Sequence, residues 1–363
     1  MANNNERQKK IHETLSKRRV FQNGIYNNVM GKQVITHADG SKTIVQKNKR
    51  QVVELAKIPP TFKKMNDSRP NPILLTRLVG HNIKLKLPDG SFNGSIVRLK
   101  DKYLLVYRPN EYVFDAVFLD LNFNVMPDTI RRLNLNGDVA DPRLIITPSN
   151  KVMVSYSRFN LGFNHEIICG SYIMDLNISE EILEYEHFRI SPVELFDRQK
   201  NWMPFVHEKN VFFISDVNPH RVYQFDESTK KSQLVYENSF RHAWFNRHQI
   251  RGNTNCLRVD ENHYLSIFHT AQKLGDCSYY DNGAYLFEAT PPFKPVMFCN
   301  RTIMPAEFAM EPHFRKSGEI MCVFPMSLHK EGDEIIISYG DNDSAVRIFK
   351  TNLNEIISYM IRI

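Results

Sequence analysis

Polar residues of a few types flank the apolar runs of this sequence. In the stretch 200–226, Lys200 and Asn201 precede an apolar run, and His220 and Arg221 follow a proline. Comparable residues precede or follow the other runs: Asp141, Arg143, Asn253 and Asn255 at starts, and Arg108, Arg158, Asp216, His269, Asp341 and Asp343 at ends. A cluster of carboxylates, cations and amides suits a polyhydroxylated or phosphorylated ligand. Such a site needs a fold that brings distant residues together.

The apolar runs recur as a fivefold pattern from about residue 90 onward. Each unit has a first run, a tight polar turn, a second run, a variable loop and a third run. The units begin at Gly94, Pro142, Trp202, Thr254 and Ile320. The runs are short and rich in Val, Ile, Phe and Tyr, which is typical of strands, and unit spacings of roughly 50 to 70 residues are typical of propeller blades with loop insertions. We therefore predict an all-β fold, a five-bladed β-propeller, with a β-sandwich as the structural alternative.

A propeller would bring the polar residues to one place. Its innermost strands run along a central axis, and the loops at one end of these strands converge there. Residues just before each first strand and just after each second strand should therefore surround one funnel. This geometry predicts that the residues named above are neighbours in space.

Positive charge is concentrated at the N-terminus. Residues 1–64 contain 14 Lys and Arg against 4 Asp and Glu, whereas the remaining residues contain 33 and 36. We predict a basic, partly disordered extension over 1–64 and a catalytic propeller domain over 65–363. A basic arm can bind nucleic acid, anionic lipid or an acidic partner, but a solvated extension is the favoured interpretation. Within the arm, 33–45 has the alternation and the Asp-Gly pair of a hairpin; at the other end, 350–363 fits a strand or a short helix.

Composition excludes several classes of protein. The chain is 42% hydrophobic and 24% charged, as in soluble globular proteins, and it has neither an apolar run of membrane-helix length nor an apolar segment of signal-peptide length near its start. The five cysteines form no CxxC pair, which favours small buried thiols in a reducing compartment and predicts a cytoplasmic location. Nucleotide P-loop, dinucleotide, GxSxG and HExxH motifs are missing from the sequence, and the His and Asp residues lack metal-site spacing.

Four short motifs carry a family resemblance: 138-DVADPRLI-145, 199-QKNWMPFV-206, 218-NPHRV-222 and 338-SYGDNDSAV-346. In their order and blade positions they resemble glycoside hydrolase family 130, the β-mannoside phosphorylases and related hydrolases, together with the allied β-1,2-mannosyltransferase/phosphorylases. The resemblance covers roughly residues 70–360. It implies a five-bladed propeller and an inverting mechanism without a metal or other cofactor.

The resemblance also implies which residues act. An inverting hydrolase needs a second carboxylate to activate water, whereas a phosphorylase needs cations to hold anionic phosphate. By motif position Asp141 is the proton donor, although Ala140 stands where the family usually has Glu. Arg158, Lys200 and His220 match the phosphate-binding residues. The structural alternatives are a turn-capping Asp141, surface cations at Arg158 and Lys200, and a buried or loop histidine.

Further residues are candidates for sugar contacts. Asp343 aligns with the family's carboxylate that holds mannose hydroxyls, and the additional acid at Asp341 either strengthens that binding or faces solvent. The weaker sugar-contact candidates are Arg108, Asn201, Asn253 and His269, with a satisfied core histidine as the alternative for His269. Arg143 either orients Asp141 through an ion pair or braces a neighbouring blade. Trp202 either stacks on a sugar or, as is more usual at the start of a blade, belongs to the core.

The sequence therefore predicts an enzyme that makes or breaks β-mannosidic linkages, by inverting phosphorolysis or by reverse transfer from mannose 1-phosphate. Its partners would be an oligosaccharide or glycan and inorganic phosphate or a sugar phosphate. Two alternatives stay open, a GDP-mannose-dependent glycosyltransferase on the same propeller and a non-catalytic glycan-binding propeller. Nucleic-acid binding would belong only to the basic arm.

Overall fold

The structure is a computed structural model. It describes residues 32–36, 42–46, 74–75, 77–110, 112–133, 135, 138–161, 167–178, 183–190, 199–242, 244, 250–274, 277–311 and 320–363.

The predicted N-terminal hairpin is confirmed. Strands β1 (Lys32–Thr36) and β2 (Lys42–Gln46) pair antiparallel, with Gln33 opposite Val45 and Thr36 opposite Lys42. The turn between them, with Asp39 and Gly40, lies outside the described residues. The other residues of the predicted 1–64 extension also lie outside the described residues.

Two short strands, β3 (Leu74–Leu75) and β4 (His81–Lys84), precede the first sheet. Within the described ranges, three antiparallel sheets have four strands each, in consecutive order. The first contains β5 (Phe92–Arg98), β6 (Tyr103–Arg108), β7 (Phe114–Leu119) and β8 (Arg131–Leu133). The second contains β9 (Asp138–Ile146), β10 (Val152–Leu161), β11 (Ile167–Ile178) and β12 (Leu183–Arg189). The third contains β13 (Met203–His207), β14 (Asn210–Val217), β15 (His220–Asp226) and β16 (Lys231–Asn238).

The fourth and fifth sequence units form one larger sheet. Unit four contributes β17 (Ile250–Gly252), β18 (Leu257–Arg258), β19 (His263–Leu274), β20 (Cys277–Glu288) and β21 (Pro295–Cys299). The two-residue β22 (Arg301–Thr302) pairs with β3 in a separate small sheet. Unit five contributes β23 (Ile320–Glu331), β24 (Glu334–Asp341) and β25 (Ala345–Asn352), and the N-terminal strand β4 completes its outer edge by pairing with β25. A short parallel pairing of β20 with β23 joins the two units.

Helical structure is sparse among the described residues. Two 3₁₀ turns occur at Pro127–Thr129 and Ala306–Phe308. The helix α1 (Leu353–Ser358) is capped by Asn352, whose side chain accepts a hydrogen bond from the backbone of Asn354, and it is followed by strand β26 (Met360–Arg362). The C-terminal stretch 350–363 thus contains both a short helix and strand residues, the two alternatives that its sequence allowed. The protein is nearly all-β and propeller-like.

Clusters of buried apolar residues lie between consecutive units. A representative pair from each is Val106 with Val154, Ile145 with Phe213, Phe205 with Phe287, Leu265 with Ile337, and Ile336 with Leu105. Because each pair joins one unit to the next, and the last pair joins unit five to unit one, the order of the clusters is cyclic. The alternating apolar strand faces therefore pack sheet against sheet, which leaves the polar strand ends free to form a site.

The cysteines behave as small apolar residues, as the sequence predicted. Those whose burial is described, Cys169, Cys256, Cys299 and Cys322, are buried thiols. Burial raises the pKa of the Cys256 thiol and raises that of Cys299 to about 12. These thiols are therefore protonated at neutral pH and inert as nucleophiles.

Candidate active site

Asp141 lies in a bulge of β9. Ser155 of β10 pairs with Arg143 and Ser157 pairs with Ala140, so Asp141 and Pro142 together stand opposite one residue. Asp141 adopts the left-handed conformation, with φ 57°, which Asp tolerates better than most residues. The strand begins at Asp138 rather than at Pro142, and the bulge, not a strand start, sets the direction of the Asp141 side chain.

Asn93 occupies the corresponding place in the first sheet. It lies at a register shift of β5 and also has a positive φ, 46°. Its Nδ2 donates to Asp141 Oδ1 over 3.1 Å, and Arg108 Nη1 lies 3.5 Å from the same oxygen. Asp141 is only 8% exposed, so these two donors define the orientation of a nearly buried carboxyl group.

Arg143 holds the backbone at the same bulge. Its Nη1 donates to the carbonyl oxygen of Asp141 over 2.8 Å, and its Nε donates to the carbonyl oxygen of Asn253. Complete burial lowers the pKa of Arg143 to about 10, although the nearby charge of Asp141 opposes that shift. Arg143 therefore both orients Asp141, through its main chain rather than by a carboxylate contact, and braces the second unit against the fourth.

A cavity of about 320 Å³ opens beside Asp141. Its described lining comprises Asn93, Arg108, Asp141, Lys200, Arg251, His269, Ala271, Tyr280, Cys322, Phe324 and Asp343. Residues from all five sequence units thus meet at one place, as the strand-end geometry predicted. The cavity contains five of the predicted site residues: Arg108, Asp141, Lys200, His269 and Asp343.

The cavity combines both signs of charge. Arg108, Lys200 and Arg251 supply cations, and Asp141 and Asp343 supply carboxylates. Asp343 lies in the turn between β24 and β25, where it and Asn342 both have positive φ. The aromatic rings of Tyr280 and Phe324 add apolar surface. This mixture can bind an anion next to a polyhydroxylated ring, because cations bind phosphate oxygens and carboxylates accept hydrogen bonds from sugar hydroxyls.

His269 faces this cavity as a neutral ring. It is 3% exposed, and Nδ1 lies 2.5 Å from Asn253 Oδ1. Burial lowers the pKa of His269 far below its usual value, and the charges of Lys200, Arg251 and Arg143 add to this effect. Asn253 is fully buried behind the ring, so the structure places it in contact with His269 and not in the cavity lining.

His220 lies elsewhere. Its ring is fully buried and packs against Phe287 and Tyr285, with Nε2 3.4 Å from the Tyr285 hydroxyl. Burial lowers its pKa to about 3, so the ring is neutral at physiological pH. This is the buried-histidine alternative, and the phosphate role predicted for His220 does not follow from its position.

Arg158 and Asn201, two other predicted site residues, also lie outside the cavity lining. The guanidinium of Arg158 lies over the Tyr172 ring, 5.5 Å from its centroid. Asn201 is 1% exposed, with φ 65°, and its backbone nitrogen donates to Ser157 Oγ. Asn201 precedes β13 as predicted, whereas Arg158 lies within β10 rather than after its end, and neither residue belongs to the described lining of the cavity.

Asp341 neither lines the cavity nor faces solvent. Its carboxylate accepts hydrogen bonds from the backbone nitrogens of Met310 and Glu311 and from Arg347 Nε over 2.6 Å. Burial raises its pKa, and these donors oppose the shift. Asp341 therefore anchors the segment around Met310 to the last unit, which overturns the solvent-facing interpretation.

Two residues named only as members of the polar cluster have structural partners. Asp216 forms an ion pair with Arg221 on the neighbouring strand, with Oδ2 of Asp216 3.6 Å from Nη1 of Arg221. Asn255 exchanges two hydrogen bonds with the backbone of Leu328 and so ties unit four to unit five.

Trp202 belongs to the core, as the sequence favoured. It is 1% exposed, and its ring centroid lies 4.6 Å from that of Tyr223.

The sequence reasoning missed Asn93 and Arg251. Asn93 immediately precedes the first run of unit one, so comparing that unit with the others would have found it. Arg251 lies in β17 (Ile250–Gly252), but the predicted first run of unit four began only at Thr254. Both could have been found by extending each first strand toward its N-terminus.

None of the helices within the described part of the chain has the length and apolar character needed to span a membrane.

The fold and the cavity are those of a carbohydrate-active β protein. The chain belongs to the glycoside hydrolase 130 family, described as β-1,4-mannooligosaccharide phosphorylase, whose sequence profile matches residues 68–362. The resemblance inferred from the four motifs is therefore confirmed. No curated protein matches the chain by sequence.

Solved structures show the same fold at low identity. A β-1,2-mannobiose phosphorylase from Listeria innocua, in complex with β-1,2-mannobiose, is similar with a TM-score of 0.51 and 13% identity over 78% of this chain and 94% of that one. A structure from the GH130 family of mannoside phosphorylases, which contains glycoside hydrolases that target β-1,2 mannosidic linkages in Candida mannan, has a TM-score of 0.54 and 11% identity over 79% and 93%. A glycosyl hydrolase from Bacteroides ovatus has a TM-score of 0.50 and 11% identity over 79% and 93%.

Proposed function

We propose that this chain makes or breaks β-mannosidic linkages by inverting phosphorolysis and by the reverse transfer from mannose 1-phosphate. The observation that carries this proposal is one cavity in which a buried, oriented carboxyl group, Asp141, stands with cations from other units, Lys200 and Arg251. Membership of a family described as a mannooligosaccharide phosphorylase supports the substrate class.

The proposed architecture is a five-bladed propeller. The five antiparallel units are its blades, and β4 closes the last blade from the N-terminal side. The cyclic order of the apolar clusters supports this arrangement. The cavity lies where the ends of the inner strands meet, which is the usual position of a propeller site.

In phosphorolysis, a phosphate oxygen forms a bond to the anomeric carbon of the mannosyl unit while the bond from that carbon to the linking oxygen breaks. Asp141 donates its proton to the departing oxygen, and the products are mannose 1-phosphate and the shortened acceptor. In synthesis, the Asp141 carboxylate takes the proton of the acceptor hydroxyl as that oxygen attacks, and phosphate departs. General acid-base catalysis of this kind contributes about 10²–10⁴-fold.

We assign phosphate binding to Lys200 and Arg251, because Arg158 and His220 do not line the cavity. Phosphate is already an anionic nucleophile, so it requires cations and no second carboxylate as base. Arg108 lies within 3.5 Å of Asp141 and can stabilise the carboxylate that remains after proton transfer. Asp343 accepts hydrogen bonds from the sugar.

The test is a product analysis. The protein is incubated with β-1,2- and β-1,4-linked mannooligosaccharides, with and without phosphate, and mannose 1-phosphate is separated from free mannose. We expect phosphate-dependent mannose 1-phosphate; free mannose formed without phosphate would indicate a hydrolase instead. A parallel incubation with GDP-mannose and an acceptor tests the transferase alternative, and binding without any turnover would support the glycan-binding alternative.

Two variants locate the phosphate site. Removing the ammonium group in Lys200→Ala should raise the KM for phosphate by about 10–100-fold, since a charge-assisted hydrogen bond to an anion is lost. The matched control, Lys151→Ala, removes an exposed lysine outside the cavity. An unchanged KM in Lys200→Ala would contradict the assignment.

The cytoplasmic location stays a prediction based on cysteine usage alone.

A further inference from the structure

A chain of buried amides fixes the proton on His269. Asn282 donates both hydrogens of Nδ2, to the carbonyl oxygens of Met304 and Val323, over 2.8 and 2.9 Å. Its Oδ1 is therefore available only as an acceptor, and Asn253 Nδ2 donates to it over 2.7 Å. Both asparagines are fully buried, so neither amide can turn toward water to make a different set of bonds.

The orientation of Asn253 determines the tautomer of His269. With Nδ2 directed at Asn282, the Oδ1 of Asn253 faces Nδ1 of His269 at 2.5 Å. A carboxamide oxygen accepts hydrogen bonds and cannot donate them, so Nδ1 carries the ring hydrogen. In a neutral imidazole the other nitrogen, Nε2, is then an acceptor. Turning either amide over would place oxygen against oxygen and leave buried carbonyl groups without donors.

The groups around His269 keep the ring neutral. The burial of the ring and the charges of Lys200, Arg251 and Arg143 lower the pKa of His269, and a hydrogen bond with the Gly252 backbone opposes this shift only in part. The other titratable groups in the same described lining are Arg108, Asp141, Asp343, Tyr280 and Cys322. The cations offer only donors to a ligand. A neutral histidine whose Nε2 is an acceptor is therefore an unusual neighbour for an anion, because its lone pair repels the lone pairs of oxygens that carry no hydrogen.

We propose that His269 Nε2 accepts a hydrogen bond from a hydroxyl group of the bound substrate and thereby selects ligands that carry a hydrogen at that position. The hydroxyl belongs either to the mannosyl unit or to hydrogen phosphate, whose P–OH group offers the same chemistry. This inference rests on the proposed function and adds to it a residue that determines specificity.

Ligands without the hydrogen distinguish the two sources. Sulfate has the shape of hydrogen phosphate and carries two negative charges, but at neutral pH it has no O–H group. Monodeoxy mannoses likewise lack one hydroxyl at a time. In either case a lone pair or empty space would face Nε2, and a site built around a hydrogen bond strongly disfavours an analogue that cannot make it.

The experiment is titration calorimetry of the full chain at pH 7 with phosphate, sulfate, mannose and the monodeoxy mannoses. If Nε2 accepts from phosphate, wild type should prefer phosphate over sulfate by about 10-fold or more; if it accepts from the sugar, one deoxy analogue should bind about 10-fold more weakly than mannose. His269→Asn keeps a donor for Asn253 but removes Nε2, and it should abolish whichever preference is found. His269→Gln can place its carboxamide oxygen near the position of Nε2, and it should retain part of that preference.

His263→Asn is the matched control, since the half-buried His263 lies at the start of the same strand and contacts Asp260 outside the cavity lining. It should leave every preference unchanged. A preference that persists at full strength in His269→Asn, or wild type without either preference, would overturn the role of His269 while leaving the proposed function intact. Wild type that binds neither phosphate nor mannose would overturn both.

Discussion

Gly340 offers a way to move Asp141 without changing the acid itself. A methyl group at Gly340 would lie 1.9 Å from Asn93 Oδ1, whereas ordinary van der Waals contacts begin at 3.4 Å, so Asn93 has to retreat by the difference, about 1.5 Å. Asn93 Nδ2 donates to Asp141 Oδ1 over 3.1 Å. Because interiors are close-packed, the retreat stretches or breaks that hydrogen bond and releases the carboxyl group.

The expected loss follows from this displacement. A shift of about 1 Å in a reacting group can cost on the order of 10²-fold in rate. We therefore expect Gly340→Ala to lower kcat for mannose 1-phosphate release by about 10–100-fold, or about 1.4–2.7 kcal/mol, with a folding cost of about 1–3 kcal/mol for overpacking. Initial rates are measured with protein that circular dichroism shows to be folded.

A double-mutant cycle tests the reasoning directly. Asn93→Ala removes the clashing amide, and of the three atoms nearest to the methyl group of Gly340→Ala only the backbone nitrogen of residue 93, at 3.1 Å, then remains. The second substitution should then change kcat by less than about threefold. Equal losses in the two backgrounds, or wild-type kcat in Gly340→Ala alone, would refute the mechanism.

Three further predictions concern buried residues. Trp202→Ala should lower the free energy of unfolding by about 3–5 kcal/mol in urea denaturation, because a fully packed ring is lost; a loss below about 1 kcal/mol would argue against the core position. Arg143→Leu should cost about 2–4 kcal/mol by the same measurement, since the carbonyl oxygens of Asp141 and Asn253 lose their donor, and wild-type stability in this variant would contradict the brace. Burial lowers the pKa of His220 to about 3, so below pH 6.5 the unfolded chain binds a proton that the folded chain excludes; stability should fall by about 2 kcal/mol from pH 7 to pH 5 on its account, and His220→Phe should lose that part of the pH dependence. An equal slope in His220→Phe would show that the ring is protonated in the folded state.

The repeated apolar runs predicted most of the strands but not the outermost ones. β5, β6 and β7 match the three runs of unit one, whereas β8 was not foreseen. β16 shows why: its residues Lys231–Asn238 are mostly exposed or half-buried, so its sequence lacks the apolar signal that identifies an inner strand. An outermost strand is held mainly by backbone hydrogen bonds, so its sequence need not contain the apolar pattern by which strands are recognised.

The site was predictable to the extent that strand ends converge. Arg108, Asp141, Lys200, His269 and Asp343 meet as expected. The placement differs from the expected one where one residue of register decides the direction of a side chain, because successive residues of a strand point to opposite faces. His220 follows a strand end as predicted but points between units three and four. Bulges such as the one at Asp141 cannot be read from apolar periodicity, which is also why Asn93 was missed.

The buried polar contacts were equally hidden. Asp341 and Asn253 carry the residue types of a sugar site, yet each is committed to partners inside the protein, Arg347 and His269 respectively. Sequence gives the chemistry of a side chain but not which groups compete for it. The fold decides whether such a residue lines the cavity or instead holds a lining residue in place, as Asn253 holds His269.

The most direct test of the proposed function is the rate of phosphate-dependent mannose 1-phosphate release by Asp141→Asn. The amide preserves the shape of the side chain but cannot donate a carboxylic proton, so kcat should fall by about 10²–10⁴-fold, while the exposed-site control Asp128→Asn keeps the wild-type rate. Release by Asp141→Asn at the wild-type rate would contradict the assignment of Asp141 as the general acid.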